Sequence, residues 1–433
     1  MKTILKVWLG MLALYLVGAT TMFFGVPPAQ SLVDAYLYAT DKRFEAQSLR
    51  ERLGNDLGFT PYRLLTRDAG GAPEGAGFRQ LAIPGLRDRR ETPHLFLSPD
   101  RKPKLTFVHG VFDFTEGLHG AILIDENGEV THRWVLRENP DNPASRGDVH
   151  IYPHGVLVDP DGAVTFIFDF GSSITKVDAC GRYLWSRPYR RDYNHVLSRA
   201  ADGTIWTLAG DPSWFERIDP RTGDIVQSIS MGDVIAANPD LGIFSPRSEH
   251  YSTGRKWLGD PFHGNDIEEL SPQMAAAFPM FEAGDLLVSF RSLNLLFVFD
   301  PETLRVKWWR AGATQQQHDP DWTDRGTILV LDNRWDKPPS RIVEIDPATN
   351  DVTTVLDGET YDFTTINRGK IQTFGSDLFV TSSKQGRVFE VDAQGRLVFD
   401  FVNTWDDAAG LRALVSEAIA LPVGYFGNLP DCE

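Results

Sequence analysis

Ten histidines are spread unevenly along the sequence, and four of them recur at one kind of place. His154 in YPHGVLVDPDG, His195 in YNHVLSRAADG and His318 in QQHDPDWTDRG each open an apolar strand. His263 in FHGNDIEEL holds the corresponding point of another unit. Imidazole titrates near neutral pH, so each can give or take a proton at physiological acidity. A lone histidine is ordinarily a satisfied structural residue. Four in register point to a site, provided that the fold brings together segments far apart in sequence.

The elements that could do so repeat about every forty-five residues. Each unit reads as an apolar strand, a polar turn, a second strand, a linker, a third strand ending in Asp, a turn and a fourth strand. Asp161-Gly162, Asp202-Gly203 and Arg325-Gly326 mark first turns. The third-strand ends read AILIDENGEVTHRW, ITKVDACGRYLW, FERIDPRTGDIV, LFVFDPETLRVKWW, IVEIDPATNDVTTV and VFEVDAQGRLVFDF. They align Asp125, Asp178, Asp219, Asp300, Asp346 and Asp392. Asp and Gly end strands because their side chains and backbones suit tight turns. Six self-similar units predict an all-β, six-bladed β-propeller over residues 105–404, with each first strand lining a central axis. His154, His195, His263 and His318 would then ring one channel mouth. Two insertions, Gly232–Pro261 and Ser271–Phe281, are expected beside it. Trp185, Trp206, Trp308 and Trp309 are expected to pack between blades, and His109, His119 and His132 to be structural.

Before the repeat, Val7–Val26 is an uncharged run rich in Leu, Val, Met and Phe, long enough to span a bilayer. Lys2 and Lys6 precede it, which leaves the N-terminus cytoplasmic, and Pro27-Pro28 ends it. The expectation is an uncleaved transmembrane anchor over residues 1–30, with the alternative of a cleaved signal. Residues 31–104 are expected to form a juxtamembrane helix (Ser31–Leu53) and a linker that begins near Gly70-Gly71-Ala72-Pro73. Residues 405–433 are expected to form a C-terminal helix and tail, with Thr404 as N-cap. This places the chain in a membrane as a single-pass protein with its propeller outside the cytoplasm.

A formal charge of −16 argues against nucleic acid or anionic lipid as the main partner. No cluster of ligands at structural-zinc spacing is present, and no metal or cofactor is expected. Cys180 and Cys432 are the only cysteines and lie far apart. They are expected to stay unpaired, although export would permit a disulfide.

These segments resemble the bacterial arylsulfate sulfotransferases that do not use PAPS, over roughly Leu105 to Phe426. FHGNDI is similar to that family's His-x-Asn motif, and LLVSFR, ending at Arg291, to the strand that ends in its catalytic arginine. QQHDPDWTDRGTILVLDN is similar to its Gln-His segment, and SEAIALPVGYF to its C-terminal tail. NHVLSRAADGTIWTL matches its His-His-Asp segment, with Asn194 and Val196 departing from the pattern.

The resemblance implies a ping-pong transfer of a sulfuryl group from an aryl sulfate to a phenolic acceptor. His318 would be the nucleophile that becomes a sulfohistidine. His263, Arg291 and His195 would join it as catalytic residues, and Asn265 would bind substrate. His154 is axial by pattern and is read as structural or as lining the channel, where it would bind substrate. Physical chemistry suits these types. Negative charge builds on the sulfuryl oxygens, so fixed donors should dominate catalysis. A guanidinium fork matches a tetrahedral oxyanion. His263 and Asn265 alternate along an extended segment and face one way, and His195 can serve as acid and base.

Two rivals remain. One is a non-catalytic, membrane-tethered propeller acting as a binding or assembly subunit, with a membrane-protein partner. The other is a calcium-dependent hydrolase of the lactonase kind, using Asp332, Asn333, Asn265 and Asp266.

Overall fold

The computed structural model describes residues 64–67, 77–87, 91–145, 147–210, 213–244 and 260–432. The expected anchor over 1–30 and the expected charged helix Ser31–Leu53 lie outside the described residues. Among the described residues, no helix is long and apolar enough to cross a membrane.

Six Asp-bearing turns organise the chain. In each, the aspartate that ends a third strand accepts hydrogen bonds from backbone amides two to four residues on. Asp125 Oδ1 takes the amides of Asn127 and Glu129, Asp178 Oδ1 those of Cys180 and Arg182, and Asp392 Oδ1 those of Gln394 and Arg396. Asp219, Asp300 and Asp346 act alike. The carboxylate replaces backbone partners that the turn cannot supply. In the first turns, Gly162, Gly203 and Gly326 take positive φ.

The strands between these turns pair in chain order. Three short ones come first: β1 (Leu65–Arg67), β2 (Arg79–Gln80) and β3 (His94–Leu97). Sheet 1 holds β4 (Leu105–Phe114), β5 (Gly117–Ile124) and β6 (Val130–Val135). Sheet 2 holds β7 (Tyr152–Val158), β8 (Val164–Asp169), β9 (Ser173–Val177) and β10 (Tyr183–Pro188). Sheet 3 holds β11 (Tyr193–Arg199), β12 (Ile205–Ala209), β13 (Trp214–Ile218) and β14 (Ile225–Ser230). Sheet 4 holds β15 (Gly264–Glu269), β16 (Leu286–Phe290), β17 (Leu295–Phe299) and β18 (Val306–Ala311). Sheet 5 holds β19 (His318–Trp322), β20 (Ile328–Asp332), β21 (Arg341–Ile345) and β22 (Val352–Asp357). Sheet 6 holds β23 (Lys370–Phe374), β24 (Asp377–Ser382), β25 (Arg387–Val391) and β26 (Leu397–Val402). The last strands are β27 (Thr404–Asp406), β28 (Leu411–Ala413) and β29 (Val415–Leu421). All pairings are antiparallel.

Two segments differ from expectation. The expected C-terminal helix is strand: β29 pairs with β4, Ile419 opposite Phe107, and becomes the first strand of sheet 1. Without it β4 would present an unpaired edge, and filling that edge outweighs the local helical preference. The expected linker also contributes pairing. β3 adds to β26 and β2 to β3, while β1 pairs with β28.

The core sits between sheets. Each apolar cluster of the described residues straddles two neighbours. One joins sheets 1 and 2 through Phe107, Trp134 and Phe166, and the next joins sheets 2 and 3. The series continues through sheets 3 and 4, 4 and 5, and 5 and 6. The last joins sheet 6 back to sheet 1, with Phe399 and Phe401 against Val108 and Phe112. The first strands touch in the same cyclic order, from β29 and β7 round to β23 and β29. The architecture is all-β and propeller-like. Trp185, Trp206 and Trp308 are buried between sheets as expected, but Trp309 faces outward at 43% exposure.

Cys180 and Cys432 form a disulfide, against the expectation that they stay unpaired. The physical reason is the course of the chain after β29. It runs past sheet 2, where Leu429 packs with that cluster, and delivers Cys432 to the turn after β9. Of the two expected insertions, the first contains helix α1 (Met231–Ala237), capped by Ser230; residues 245–259 lie outside the described ones. The second folds into a short 3-10 turn at Ala275–Ala277.

Candidate active site

Five of the six first strands lose register with their neighbours at one level. The breaks fall between Pro153 and Val156 in β7, Asn194 and Leu197 in β11, and Gly264 and Asp266 in β15. They recur between His318 and Asp321 in β19 and Val415 and Glu417 in β29. A bulge re-aims the side chains that it contains, and these contain or adjoin His154, His195, Asn265 and His318. His195 and His263 sit at φ 65° and 46°, a region that non-glycine residues hold only when their surroundings over-determine it. Gly155 is needed at its own bulge, because a Cβ there would lie 2.7 Å from the Leu197 backbone nitrogen.

The result is a cluster of four imidazoles drawn from three sheets and the loop before a fourth strand. The ring centre of His195 lies 4.3 Å from that of His154, 4.9 Å from that of His263 and 5.8 Å from that of His318. His154, His195, Asn265 and His318 line one small axial cavity with Arg368, Lys370 and Glu417.

Hydrogen bonds assign the protons. The Arg368 backbone N–H donates to His318 Nε2 at 3.1 Å, so that nitrogen carries a lone pair. His318 Nδ1–H then donates to Asn333 Oδ1 at 2.7 Å. The Asn333 amide is oriented by its own donations to the carbonyls of Thr365 and Arg368. The His195 backbone N–H donates to His154 Nδ1 at 3.0 Å. His195 Nε2 and His263 Nε2 lie 3.0 Å apart and share one proton, and His263 Nδ1 contacts Asp260. Asn265 Nδ2 donates to the Gln317 carbonyl at 2.7 Å, while Asn265 Oδ1 is buried with no partner among the described residues.

Electrostatics keep three of these rings neutral. Burial first, then Arg291, hold His318 well below the usual imidazole range. Burial followed by the other imidazoles does the same to His195, and burial followed by Arg368 to His154. At neutral pH these rings therefore keep lone pairs.

Arg291 follows β16 directly, and its backbone N–H donates to the His263 carbonyl at 3.1 Å. Its guanidinium makes no hydrogen bond or ion pair to a described residue, although Asp260 and Asp169 lie close enough to favour its charge. Arg368 differs. It is bound to the Pro153 carbonyl and to Asp169, both at 3.0 Å, and lies over the Tyr152 ring.

Sequence reasoning missed Arg368, Asp260 and, in the layer beneath the imidazoles, Lys370, and it placed Asn333 and Asp266 only in the rival calcium site. There Lys370 Nζ lies 3.0 Å from Asp266 and also contacts Asp319. Burial raises Asp266 to about 7 and Glu268 and Glu417 to about 8. Arg368 and Lys370 fall in a blade whose opening strand has no histidine, so the register signal that exposed the others passed over them. His109 and His119 are fully buried in sheet 1, and His119 Nε2 bonds the Asp148 carbonyl at 2.7 Å.

A family model described as Arylsulfotransferase (ASST) matches residues 156–404. The chain belongs to the arylsulfotransferase family. The match includes His195, His263, Asn265, Arg291, His318 and Arg368, and stops short of β29 and of His154. No curated protein matches the sequence. Among solved structures, a protein of unknown function from Bacteroides caccae aligns with this family member at TM-score 0.50 and 12% identity. It covers 74% of this chain and 99% of its own, a likeness of fold alone. A virginiamycin B lyase from Staphylococcus aureus aligns at TM-score 0.42 and 11% identity over 74% of this chain and 86% of its own. The Dos1 propeller aligns at TM-score 0.37 and 13% identity, over 64% and 66%.

Proposed function

We propose that this chain is a six-bladed propeller enzyme that moves a sulfuryl group from an aryl sulfate ester to a phenol, in two steps through His318. The observation that carries the reading is the state of His318. It is a buried, neutral imidazole whose Nδ1–H is held by Asn333, so that its lone pair is on Nε2, with the guanidinium of Arg291, unpaired among the described residues, acting on it.

In the first step His318 Nε2 attacks sulfur and the aryl oxygen leaves. Arg291 stabilises charge on the sulfuryl oxygens, the kind of fixed donor whose loss costs about 3–4 kcal/mol of barrier. His195 protonates the leaving phenolate. In the second step His195 takes the proton of the incoming phenol, whose oxygen displaces His318. Asn265 positions the substrate, and the Arg368 amide must yield Nε2 as sulfur approaches.

The test is turnover of 4-nitrophenyl sulfate by the purified full chain, dependent on added phenol and insensitive to EDTA. Mass spectrometry of the enzyme quenched without acceptor should find the sulfuryl group on His318. Turnover that persists unchanged in His318→Ala removes the assignment.

One observation favours the second reading, a non-catalytic tethered propeller. His318 Nε2 is already occupied by the Arg368 amide. Absence of turnover together with a stably co-purifying membrane protein would select it. We also propose an inner-membrane anchor at Val7–Val26 with the propeller in the periplasm. The disulfide supports an oxidising compartment. A reporter fused after residue 433 that is active only in the cytoplasm would refute this.

A further inference from the structure

Asp260 stands just before β15, and its two carboxylate oxygens make different contacts with one residue. Oδ1 accepts the His263 backbone N–H at 2.8 Å, and Oδ2 contacts His263 Nδ1. An ionised carboxylate only accepts, so the proton of the second contact belongs to His263 Nδ1. The other nitrogen of that ring, Nε2, lies 3.0 Å from His195 Nε2. A neutral His263 turns a lone pair toward His195, and a protonated one turns an N–H toward it. His195 Nδ1 has no hydrogen-bond partner among the described residues, and His195 lines the axial cavity. Carboxylate, imidazole and imidazole thus form a line that ends at an open nitrogen, with both histidines locked at positive φ.

We propose that Asp260 is the positioning residue of an Asp260–His263–His195 proton relay whose outlet is His195 Nδ1. This rests on the transferase reading above. In the first half-reaction the sulfur–aryl oxygen bond breaks as the bond from His318 Nε2 to sulfur forms. The departing phenolate takes the proton of His195 Nδ1, and His195 Nε2 takes one from His263 Nε2. His263 is left neutral, with its Nδ1–H on Asp260. In the second half-reaction the acceptor phenol returns a proton along the same line while its oxygen attacks sulfur and the nitrogen–sulfur bond breaks. The proton is stored on His263 at the end of each cycle, so no outside acid is consumed.

The experiment compares two donors that differ in how much their leaving oxygen needs a proton. 4-Nitrophenyl sulfate leaves as a stable phenolate, and phenyl sulfate as a basic one. Asp260→Asn offers Nδ1 a donor in place of an acceptor and turns His263 to the wrong tautomer. It should slow phenol release from phenyl sulfate roughly 10²-fold or more. Release from 4-nitrophenyl sulfate should fall by less than about 10-fold, and Asp260→Glu should recover part of the loss. Equal losses on both donors, or none, overturn the relay. If the wild-type chain turns over neither donor, the transferase reading fails and the tautomer of His263 decides the relay by long-range ¹⁵N–¹H spectra. A proton on Nδ1 that moves to Nε2 in Asp260→Asn supports it, and a bare Nδ1 in the wild type overturns it.

Discussion

His318 Nδ1 lies 2.7 Å from Asn333 Oδ1, and that contact decides which nitrogen of the central imidazole holds the lone pair. Asn333 stands just past β20, the second strand of the sheet whose first strand begins with His318. If the contact sets the tautomer, Asn333→Ala should lower kcat by roughly 10²-fold or more with little change in KM for the donor. Steady-state kinetics would check it, and a rise in KM at constant kcat would count against it.

Arg291 is expected to act through geometry as well as charge. Its planar fork can give two parallel hydrogen bonds to a tetrahedral oxyanion, which a lysine ammonium cannot. Arg291→Ala should reduce kcat by about 10²–10³-fold, and Arg291→Lys should recover little of it. Full recovery by lysine would show that charge alone suffices.

The junction of sheets 1 and 6 depends on a buried ion cluster. Lys104, fully buried, lies 3.1 Å from Asp377 and also contacts Glu390, which accepts from Arg101 at 2.8 Å. Removing the lysine leaves Glu390 with Arg101 alone and Asp377 with Lys102 alone, two buried carboxylates short of a cation. Lys104→Met should destabilise the fold by about 3–5 kcal/mol in denaturant titrations. A smaller loss for the double variant Lys104→Met, Glu390→Gln, which keeps an acceptor for Arg101, would trace the cost to the uncompensated carboxylate.

Glu417 predicts a pH dependence of stability. Burial raises its folded pKa from 4.5 to about 8. Between those values the folded state keeps a proton that the unfolded state has released, so unfolding free energy falls as pH rises. Glu417→Gln should therefore unfold at a higher temperature than wild type at pH 9, and the gap should close by pH 5. A gap that widens toward acid would contradict the assignment. The histidines have the opposite sign. Their folded values are lowered, so the stability that they permit above the unfolded pKa is lost below it.

Much of the architecture was legible in the sequence because its cause is local. Asp125, Asp178, Asp219, Asp300, Asp346 and Asp392 each bond amides within four residues, and such contacts leave a pattern that a reader can align. The in-register histidines were legible for the same reason, since a strand start has a fixed place in each repeat. Other features have non-local causes. β29 is a strand because β4, three hundred residues earlier, needs a partner, and nothing between Val415 and Leu421 announces that. The same long return brings Cys432 to Cys180.

The sequence by itself thus determined the repeat, the turn chemistry, the family resemblance and the set of axial imidazoles. Only the tertiary structure decided which atoms face one another: Asp260 toward His263, Asn333 toward His318, and Lys370 between Asp266 and Asp319. The first lies within one segment, the second joins neighbouring strands of sheet 5 and the third joins three sheets, and all three depend on bulges and on how the sheets pack. Spacing along the chain carries no trace of either.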